Sequence, residues 1–150
     1  MDEKYMRMAL KQAQIAYDNE DIPVGAVLVC GDKILAKAYN KKNKLKNPLA
    51  HAEIIAINKA CKKIGDFRLE DCTLYITKEP CLMCYGAIMS ARIKRVVYGA
   101  SDLKYGCVKV GKNFTFNHTC NWESGMLENE CGEMLTQFFK ALRKKKCKPN

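Results

Sequence analysis

Residues 51–84 read HAEIIAINKACKKIGDFRLEDCTLYITKEPCLMC, and the rest of the chain is organised around this stretch. It opens with a histidine and a glutamate two positions apart, His51 and Glu53, and closes with Cys81 and Cys84, which follow Pro80. One imidazole and two thiolates make three ligands for a zinc ion and leave its fourth position open for water. Glu53 is then placed to move protons on and off that water. The stretch therefore predicts a catalytic zinc site.

Two plainer interpretations of these residues exist: a core histidine beside two buried thiols, or a closed structural zinc site. A closed site needs a fourth ligand, for which Cys72, Cys107 and Cys120 are candidates, but none has the paired spacing typical of structural zinc sites. Glu53 would also have no role there. The order H-x-E and then P-C-x-x-C is a signature of zinc-dependent nucleobase deaminases, so the open site is favoured.

The same stretch predicts a short buried strand between two helices, with the zinc residues in the first turns of those helices. The first helix is expected from about residue 50 to Gly65, the strand at 73–77, and the second helix from Cys81 to about Ala91. Elsewhere we expect a helix ending near Asn19, a hairpin of strands at 24–30 and 33–39, a polar loop at 40–48, a strand at 96–98, an irregular segment at 100–120 and a helix at 127–145. This order predicts an α/β fold in which a mixed sheet has helices on both faces.

Length and composition predict one folded domain over residues 1–150, because 150 residues of which 48% are hydrophobic can build a single core. The sequence contains neither a signal peptide nor an apolar run long enough to span a membrane, so we expect a cytoplasmic protein. Seven of the nine cysteines lie outside the zinc motif, lack disulfide-scaffold spacing and are expected to be reduced thiols. The last helix carries an apolar stripe typical of a core-facing surface: Leu127, Cys131, Met134, Leu135, Phe138, Phe139 and Leu142.

Charge points to a polyanionic partner. The chain has 26 basic and 16 acidic residues, for a net charge of +10. The excess is concentrated in a loop before His51 and in a basic end to the C-terminal helix: Lys41, Lys42, Lys44 and Lys46, then Lys140, Arg143, Lys144, Lys145, Lys146 and Lys148. Because no basic helix has a bulky lipid-facing stripe, nucleic acid fits better than a membrane surface.

The residues around the zinc motif carry a resemblance to a known family. The chain is similar over nearly its whole length to the bacterial tRNA-specific adenosine deaminases, within the cytidine and deoxycytidylate deaminase superfamily. The matching segments include Pro23–Val27, Phe67–Leu69, Thr73–Tyr75, Glu79–Cys84, Ser90–Ile93, Gly99–Ala100 and Phe138–Lys140. The zinc motif is shared by deaminases of several substrates, and these surrounding segments narrow the choice.

The resemblance implies a three-layer α/β/α sandwich with a five-stranded mixed sheet, usually a homodimer. It implies a hydrolase that converts adenosine to inosine at the wobble position of a tRNA anticodon stem-loop. Zn²⁺ would be held by His51, Cys81 and Cys84, with Glu53 as the catalytic proton carrier. Asn40 matches a residue that contacts the flipped nucleoside. Four further positions fall where the family contacts RNA: Asp102, Lys104, Phe139 and Arg143.

One segment departs from the family pattern and leaves the substrate open. After Gly106-Cys107, residues 108–112 read VKVGK where the family usually has a Gly-Ser/Thr-Leu-Met type of segment, although Asn117-His118 is kept. A deaminase of a free base or nucleoside of the guanine or cytosine type is therefore the alternative enzyme. A third alternative is a non-catalytic RNA-binding protein that keeps zinc for stability, against which the presence of Glu53 argues.

Overall fold

The computed structural model describes residues 1–146, which contain five strands and six helices. The helices are α1 (Asp2–Asp18), α2 (Lys42–Leu45), α3 (Ala52–Ile64), α4 (Leu82–Ser90), α5 (Val108–Gly111) and α6 (Glu128–Lys146). The strands are β1 (Gly25–Cys30), β2 (Lys33–Tyr39), β3 (Cys72–Lys78), β4 (Arg95–Ala100) and β5 (Asn121–Glu123). Cys147 and Lys148, assigned above to the reduced thiols and the basic end, lie outside the described residues.

The five strands form one sheet in the order β2-β1-β3-β4-β5. Strand β1 pairs antiparallel with both β2 and β3, whereas β3–β4 and β4–β5 are parallel. A register shift interrupts the β1–β2 pairing between Leu28 and Val29. The expected five-stranded mixed sheet is confirmed.

Alternating side chains of β1 enter two separate cores. Ala26 and Leu28 pack with α3 and α4 residues, while Val27 and Val29 pack with α1 and α6 residues on the opposite face. Because successive residues of a strand point to opposite faces, a strand that is apolar throughout must be covered on both sides. The three-layer α/β/α arrangement is therefore confirmed.

Helix α1 lies so close to the sheet that a side chain is excluded at the start of β1. A Cβ atom at Gly25 would overlap the backbone of Ala9 and Ala13. The glycine thus allows α1 to pack directly on β1, with Ala9 and Ala13 fully buried at the contact. No helix within residues 1–146 is both long and apolar enough to cross a membrane.

Three expectations need correction. The loop at 40–48 contains the short helix α2, and the segment at 100–120 contains α5. The apolar stripe of α6 is only partly core: Cys131 and Phe138 are buried, whereas Leu142 is 36% exposed. Helix α6 packs on the sheet mainly over β4 and β3, which leaves part of the stripe in its C-terminal turns uncovered.

Candidate metal and catalytic site

The two helices that begin at the site are each preceded by a metal-ligand candidate in extended backbone. His51 (φ −73°, ψ 152°) is the N-cap of α3, and Cys81 (φ −75°, ψ 176°) is the N-cap of α4. Both residues therefore lie just before their helices, which corrects the prediction that they occupy first turns; Glu53 and Cys84 do lie in first turns. Free N–H groups and the positive end of each helix dipole favour anionic groups here.

The structure brings His51, Cys81 and Cys84 together. His51 Nδ1 lies 3.7 Å from Cys81 Sγ and 3.6 Å from Cys84 Sγ, and the three ligand atoms are within 4.8 Å of one another. Among residues 1–146 this is the only such cluster of three or more His, Cys, Asp or Glu side chains. Its donor set of one nitrogen and two sulfurs fits a tetrahedral zinc ion with an open position. No fourth side chain of the described residues joins the cluster, which is contrary to a closed site.

The ligand side chains already interact strongly with one another. A hydrogen bond with Cys84, reinforced by His51, lowers the pKa of Cys81 to about 3. The same contact with Cys81 raises the pKa of Cys84, and Cys81 also raises the pKa of the His51 imidazole. The proton distribution therefore favours a thiolate at Cys81, which is the form that binds a metal.

Glu53 is a buried carboxyl group next to these ligands. It is 4% exposed, and burial raises its pKa above that of an ordinary glutamate. A raised pKa suits a group that must both accept and donate a proton near neutral pH. This is the environment expected of a catalytic proton carrier.

A cavity of about 110 Å³ opens beside Glu53. It is lined by Ile22, Val24, Asn40, Lys42, His51, Ala52, Glu53, Lys78, Glu79, Cys81, Asp102 and Tyr105. Sites that enclose drug-sized ligands measure roughly 300–1,000 Å³, so this one has the scale of a single small group such as a base. Its lining includes Asn40 and Asp102, two of the predicted substrate contacts.

Asn40 is fixed in orientation at the cavity wall. Its Nδ2 donates to the carbonyl of Ile22 at 3.0 Å, and its Oδ1 accepts from the backbone N–H of Lys42 at 3.0 Å. The side chain is 7% exposed. One amide hydrogen and one oxygen lone pair remain beyond these two bonds, so Asn40 retains both a donor and an acceptor for a ligand.

The other predicted RNA contacts differ in position. Asp102 forms a 3.0 Å ion pair with Lys78. Burial opposes ionisation of this carboxyl group, but its pKa is lowered by backbone hydrogen bonds from Tyr105 and Lys104 and by the charge of Lys78. Lys104 is exposed next to it. Phe139 and Arg143 lie on α6 and do not line this cavity.

Sequence reasoning missed two carboxylates that hold the cavity's loops. Glu79 accepts from the backbone N–H of Asp102 at 3.0 Å and from that of Val108 at 3.2 Å. Asp21, 1% exposed, accepts from the backbone N–H groups of Asn43 and Lys44 at 2.8 and 3.1 Å, at the start of α2. The position of Glu79 directly before the P-C-x-x-C motif was the only signal for either.

Comparisons with known proteins agree with this geometry. Residues 1–143 match the family model described as MafB19-like deaminase. The chain is 47% identical over 149 residues to the tRNA-specific adenosine deaminase of Bacillus subtilis (strain 168), covering 97% of this chain and 92% of that protein. It is 42% identical over 145 residues to that of Aquifex aeolicus (strain VF5), covering 94% and 95%.

Solved structures are similar over most of the chain. A structure from biochemical and structural studies of A-to-I editing by tRNA:A34 deaminases at the wobble position superposes with a TM-score of 0.85 at 40% identity, covering 88% of this chain and 99% of that one. A guanine deaminase from Nitrosomonas europaea superposes with a TM-score of 0.76 at 20% identity, covering 91% and 83%. The second likeness is one of fold.

Proposed function

The chain belongs to the tRNA-specific adenosine deaminase family, and we propose that it converts adenosine to inosine by hydrolysis at the wobble position of a tRNA anticodon. One observation carries this proposal: the buried Glu53 lines the same cavity as His51, Cys81 and Asn40. A metal-ligand triad, a buried proton carrier and a base-sized space are the components that nucleobase deamination requires.

We propose zinc as the metal, held by His51, Cys81 and Cys84. A bound zinc ion supplies the Lewis acidity that makes water nucleophilic near neutral pH. The fit rests on the donor set and on the absence of a fourth side-chain ligand within residues 1–146.

Glu53 carries the protons of the reaction. It accepts a proton from the attacking water, delivers it to the purine ring nitrogen beside the reacting carbon, and assists departure of the amino group as ammonia. Its burial keeps competing bulk water away from the carboxyl group, and its raised pKa eases the return of the proton. Asn40, held at its amide by Ile22 and Lys42, orients the nucleoside with its remaining donor and acceptor.

An RNA substrate accounts for the charges at the rim. Lys42 lines the cavity and exposed Lys104 adjoins it, so phosphates beside a flipped base would meet cations, whereas Lys78 in the same wall is paired with Asp102. We include Asp102, Lys104, Phe139 and Arg143 among the proposed contacts to the anticodon stem-loop; Phe139 and Arg143, on the basic helix α6, would contact RNA away from the cavity.

We further propose that residues 1–150 form one deaminase domain, that it acts as a homodimer and that it works in the cytoplasm with its tRNA. Leu49 and Leu82 are 56% and 55% exposed, close in sequence to His51 and Cys81, and supply apolar surface suited to a second subunit. Sedimentation of the purified protein tests the dimer, since a monomer at all concentrations would contradict it.

The deciding experiment follows the mass of two kinds of substrate with zinc-loaded protein. One is an anticodon stem-loop with adenosine at the wobble position, with a stem-loop bearing guanosine there as control. The other is a mixture of guanine, cytosine and their nucleosides. We expect inosine in the first stem-loop only. Deamination of a free base or nucleoside without the stem-loop would replace this proposal with the small-molecule alternative, and stem-loop binding without inosine would indicate a non-catalytic protein.

Metal analysis tests the cofactor separately. The purified protein should contain one zinc ion per chain, and Cys84→Ser should reduce that content. A protein that binds no zinc, or binds it undiminished after Cys84→Ser, would contradict the ligand set.

A further inference from the structure

Two cysteines outside the metal site face each other across the sheet. Cys30, the last residue of β1, is the register partner of Cys72, the first residue of β3. In an antiparallel pair, directly opposed residues are either hydrogen-bonded to each other or not, and their side chains are closer in the second case. The type of this pair therefore decides how near the thiols lie.

Backbone hydrogen bonds elsewhere on β1 identify the type. Asn40 N–H donates to the carbonyl of Val24, so the even-numbered residues of this segment direct their backbone groups toward β2. Gly25 N–H donates to the Thr77 hydroxyl on the other side, so the odd-numbered residues face β3. The β1–β3 register runs without a shift from Ala26 to Cys30. Cys30 and Cys72 are therefore a non-hydrogen-bonded pair.

This geometry suits a covalent bridge. Opposed Cα atoms in a non-hydrogen-bonded pair are about 4.5 Å apart, inside the range of roughly 4.4–6.8 Å found for disulfides. Both side chains belong to the same face, because Cys72 lies in the core that contains Leu28 and Cys30 packs against it. Burial and the neighbouring Cys30 thiol raise the pKa of Cys72 to about 12, which agrees with close contact.

The two thiols differ in access. Cys72 is 2% exposed, whereas Cys30 is half-buried beside the Gly31 turn, and both line a surface groove with Lys33 and Arg68. A reagent from solvent therefore reaches Cys30 first, and Cys72 then reacts as the resolving thiol.

We propose that Cys30 and Cys72 form a thiol–disulfide site that is oxidised by a small-molecule disulfide. The Cys30 thiolate attacks one sulfur of the reagent, forming a mixed disulfide and releasing one small thiolate, which takes up the proton that Cys30 lost. Cys72 loses its proton and attacks the Cys30 sulfur, forming the bridge and releasing the second small thiol. The two cysteines lose two electrons and two protons in total, and the reagent gains both.

The bridge would be a covalent cross-link that encloses the segment containing His51. The bridge joins the end of β1 to the start of β3. The loop that it closes contains β2, α2 and α3, and His51 and Glu53 lie at the start of α3. Constraining a loop of this length restricts the unfolded chain. The bridged form should therefore resist unfolding more than the reduced form while keeping its deaminase activity, because the site's own contacts are untouched.

A third thiol provides the competing outcome. Cys61 lies on α3 and packs against the same core, and its Sγ is 3.7 Å from the carbonyl oxygen of Phe67. Because it belongs to a helix, no strand residue stands opposite it. If contact alone governed oxidation, Cys61 would compete with Cys30 for Cys72.

The test treats the metal-loaded full chain with oxidised glutathione and maps its peptides. We expect an intact mass lower by two hydrogens, one cross-linked peptide pair joining Cys30 to Cys72, and a melting temperature raised by several degrees that a reductant reverses. Cys72→Ser should accumulate glutathione on Cys30, Cys30→Ser should give no bridge, and Cys131→Ser, on the opposite face, should bridge like the parent. Unchanged metal content shows that Cys81 and Cys84 took no part.

Three results would overturn the proposal. The first is that the parent forms no bridge in an excess of oxidised glutathione. The others are a bridge from Cys72 to Cys61, and glutathione attached to Cys72 in the Cys30→Ser variant. The peptide map needs no deaminase assay, so it can fail while the proposed function stands.

Discussion

The carboxylate of Glu79 accepts a 3.0 Å hydrogen bond from the backbone N–H of Asp102. Its second oxygen accepts from Val108 N–H at 3.2 Å, so one side chain holds both ends of the 102–108 segment. Gly106 lies over it so closely that a Cβ there would overlap the Glu79 carboxyl group. Because Glu79 precedes Pro80 and Cys81, it joins the metal-binding turn to the loop that forms the cavity rim.

Replacing Glu79 with glutamine should loosen that rim. A glutamine offers one acceptor oxygen in place of two, so one of the two backbone N–H groups loses its partner. An unpaired buried donor costs about 1–3 kcal/mol, and we expect kcat/KM for the stem-loop to fall roughly tenfold, mainly through KM. Glu70→Gln, an exposed glutamate near Arg92, is the matched control. An unchanged KM would contradict the proposed anchoring, and unchanged zinc content would show that the metal site stays intact.

Glu53→Gln should separate chemistry from binding. The amide fills the same volume but cannot take a proton from water, so single-turnover inosine formation should fall by about 10²–10⁴-fold. Zinc content and stem-loop affinity should remain near those of the parent, because Glu53 lies outside the ligand triad. Normal turnover would refute the proton-carrier role, and loss of zinc would make Glu53 a ligand.

Salt should weaken stem-loop binding steeply. Each neutralised phosphate of a single strand contributes about −0.7 to the slope of log K against log salt concentration. Lys42→Gln with Lys44→Gln removes two cations of the short helix held by Asp21, so the slope should flatten by about 0.7 for each phosphate that is no longer neutralised. Binding is measured by fluorescence anisotropy in the Glu53→Gln background.

The matched control for that pair is Lys62→Gln with Lys63→Gln, which removes the same charge from the last turn of α3. Its slope should equal the parent's. A flat salt response in the parent would favour the small-molecule alternative, and equal effects of the two pairs would show that only net charge matters.

A paired carboxylate at the N-terminus gives a pH signature. Arg95 donates to Asp2 at 3.0 and 2.7 Å and Tyr75 at 2.7 Å; the Arg95 bonds chiefly lower the pKa of Asp2 to about 2. This pKa is below the unfolded value of about 3.9, so the pair stabilises the fold above about pH 4 and its contribution disappears as pH falls toward 2.

Asp2→Asn should therefore lower the free energy of unfolding by about 1 kcal/mol at neutral pH, since the pair is partly exposed to solvent. The difference should shrink as the pH falls below about 4. Urea titrations of metal-free protein at each pH measure it without a contribution from zinc release. Asp32→Asn, in the exposed β1–β2 turn, should have little effect at any pH. If the difference in free energy of unfolding between Asp2→Asn and the parent stayed constant with pH, the ionised Asp2–Arg95 pair would not be the source of the stabilisation.

Local patterns predicted the cluster of candidate metal ligands because its residues follow rules of local spacing. His51, Glu53, Cys81 and Cys84 occur in two short motifs, each at the start of a helix. The helix after His51 is amphipathic, whereas the one after Cys81 is marked in sequence by Pro80 at its start. The strand Lys33–Tyr39 has the predicted bounds because its alternation follows a Gly-Asp turn. Periodicity and spacing carry such information directly.

Contacts between distant segments were not predictable in the same way. Glu79 meets Asp102 and Val108 at separations of 23 and 29 residues, and Asp21 meets Asn43 at 22. A carboxylate that accepts hydrogen bonds from the backbone of a distant segment does not alter the residue pattern of its own segment, so no local pattern reveals it. The prediction that the whole α6 stripe faces the core was wrong for a related reason. The periodicity of the stripe marks an apolar face, but it does not indicate how far the sheet extends beneath that face.

The anchoring of residues 102–108 through main-chain groups has a consequence for descent with modification. Any amino acid except proline can offer the N–H groups that Glu79 binds at positions 102 and 108. Position 106 is restricted to glycine by the Glu79 carboxyl group, and the Val108 side chain is buried in the core. The exposed side chains at positions 103–105, between the two anchored N–H groups, are free to diverge without disturbing these bonds. Substrate preference can thus drift from lineage to lineage while the hydrolytic chemistry is inherited without change.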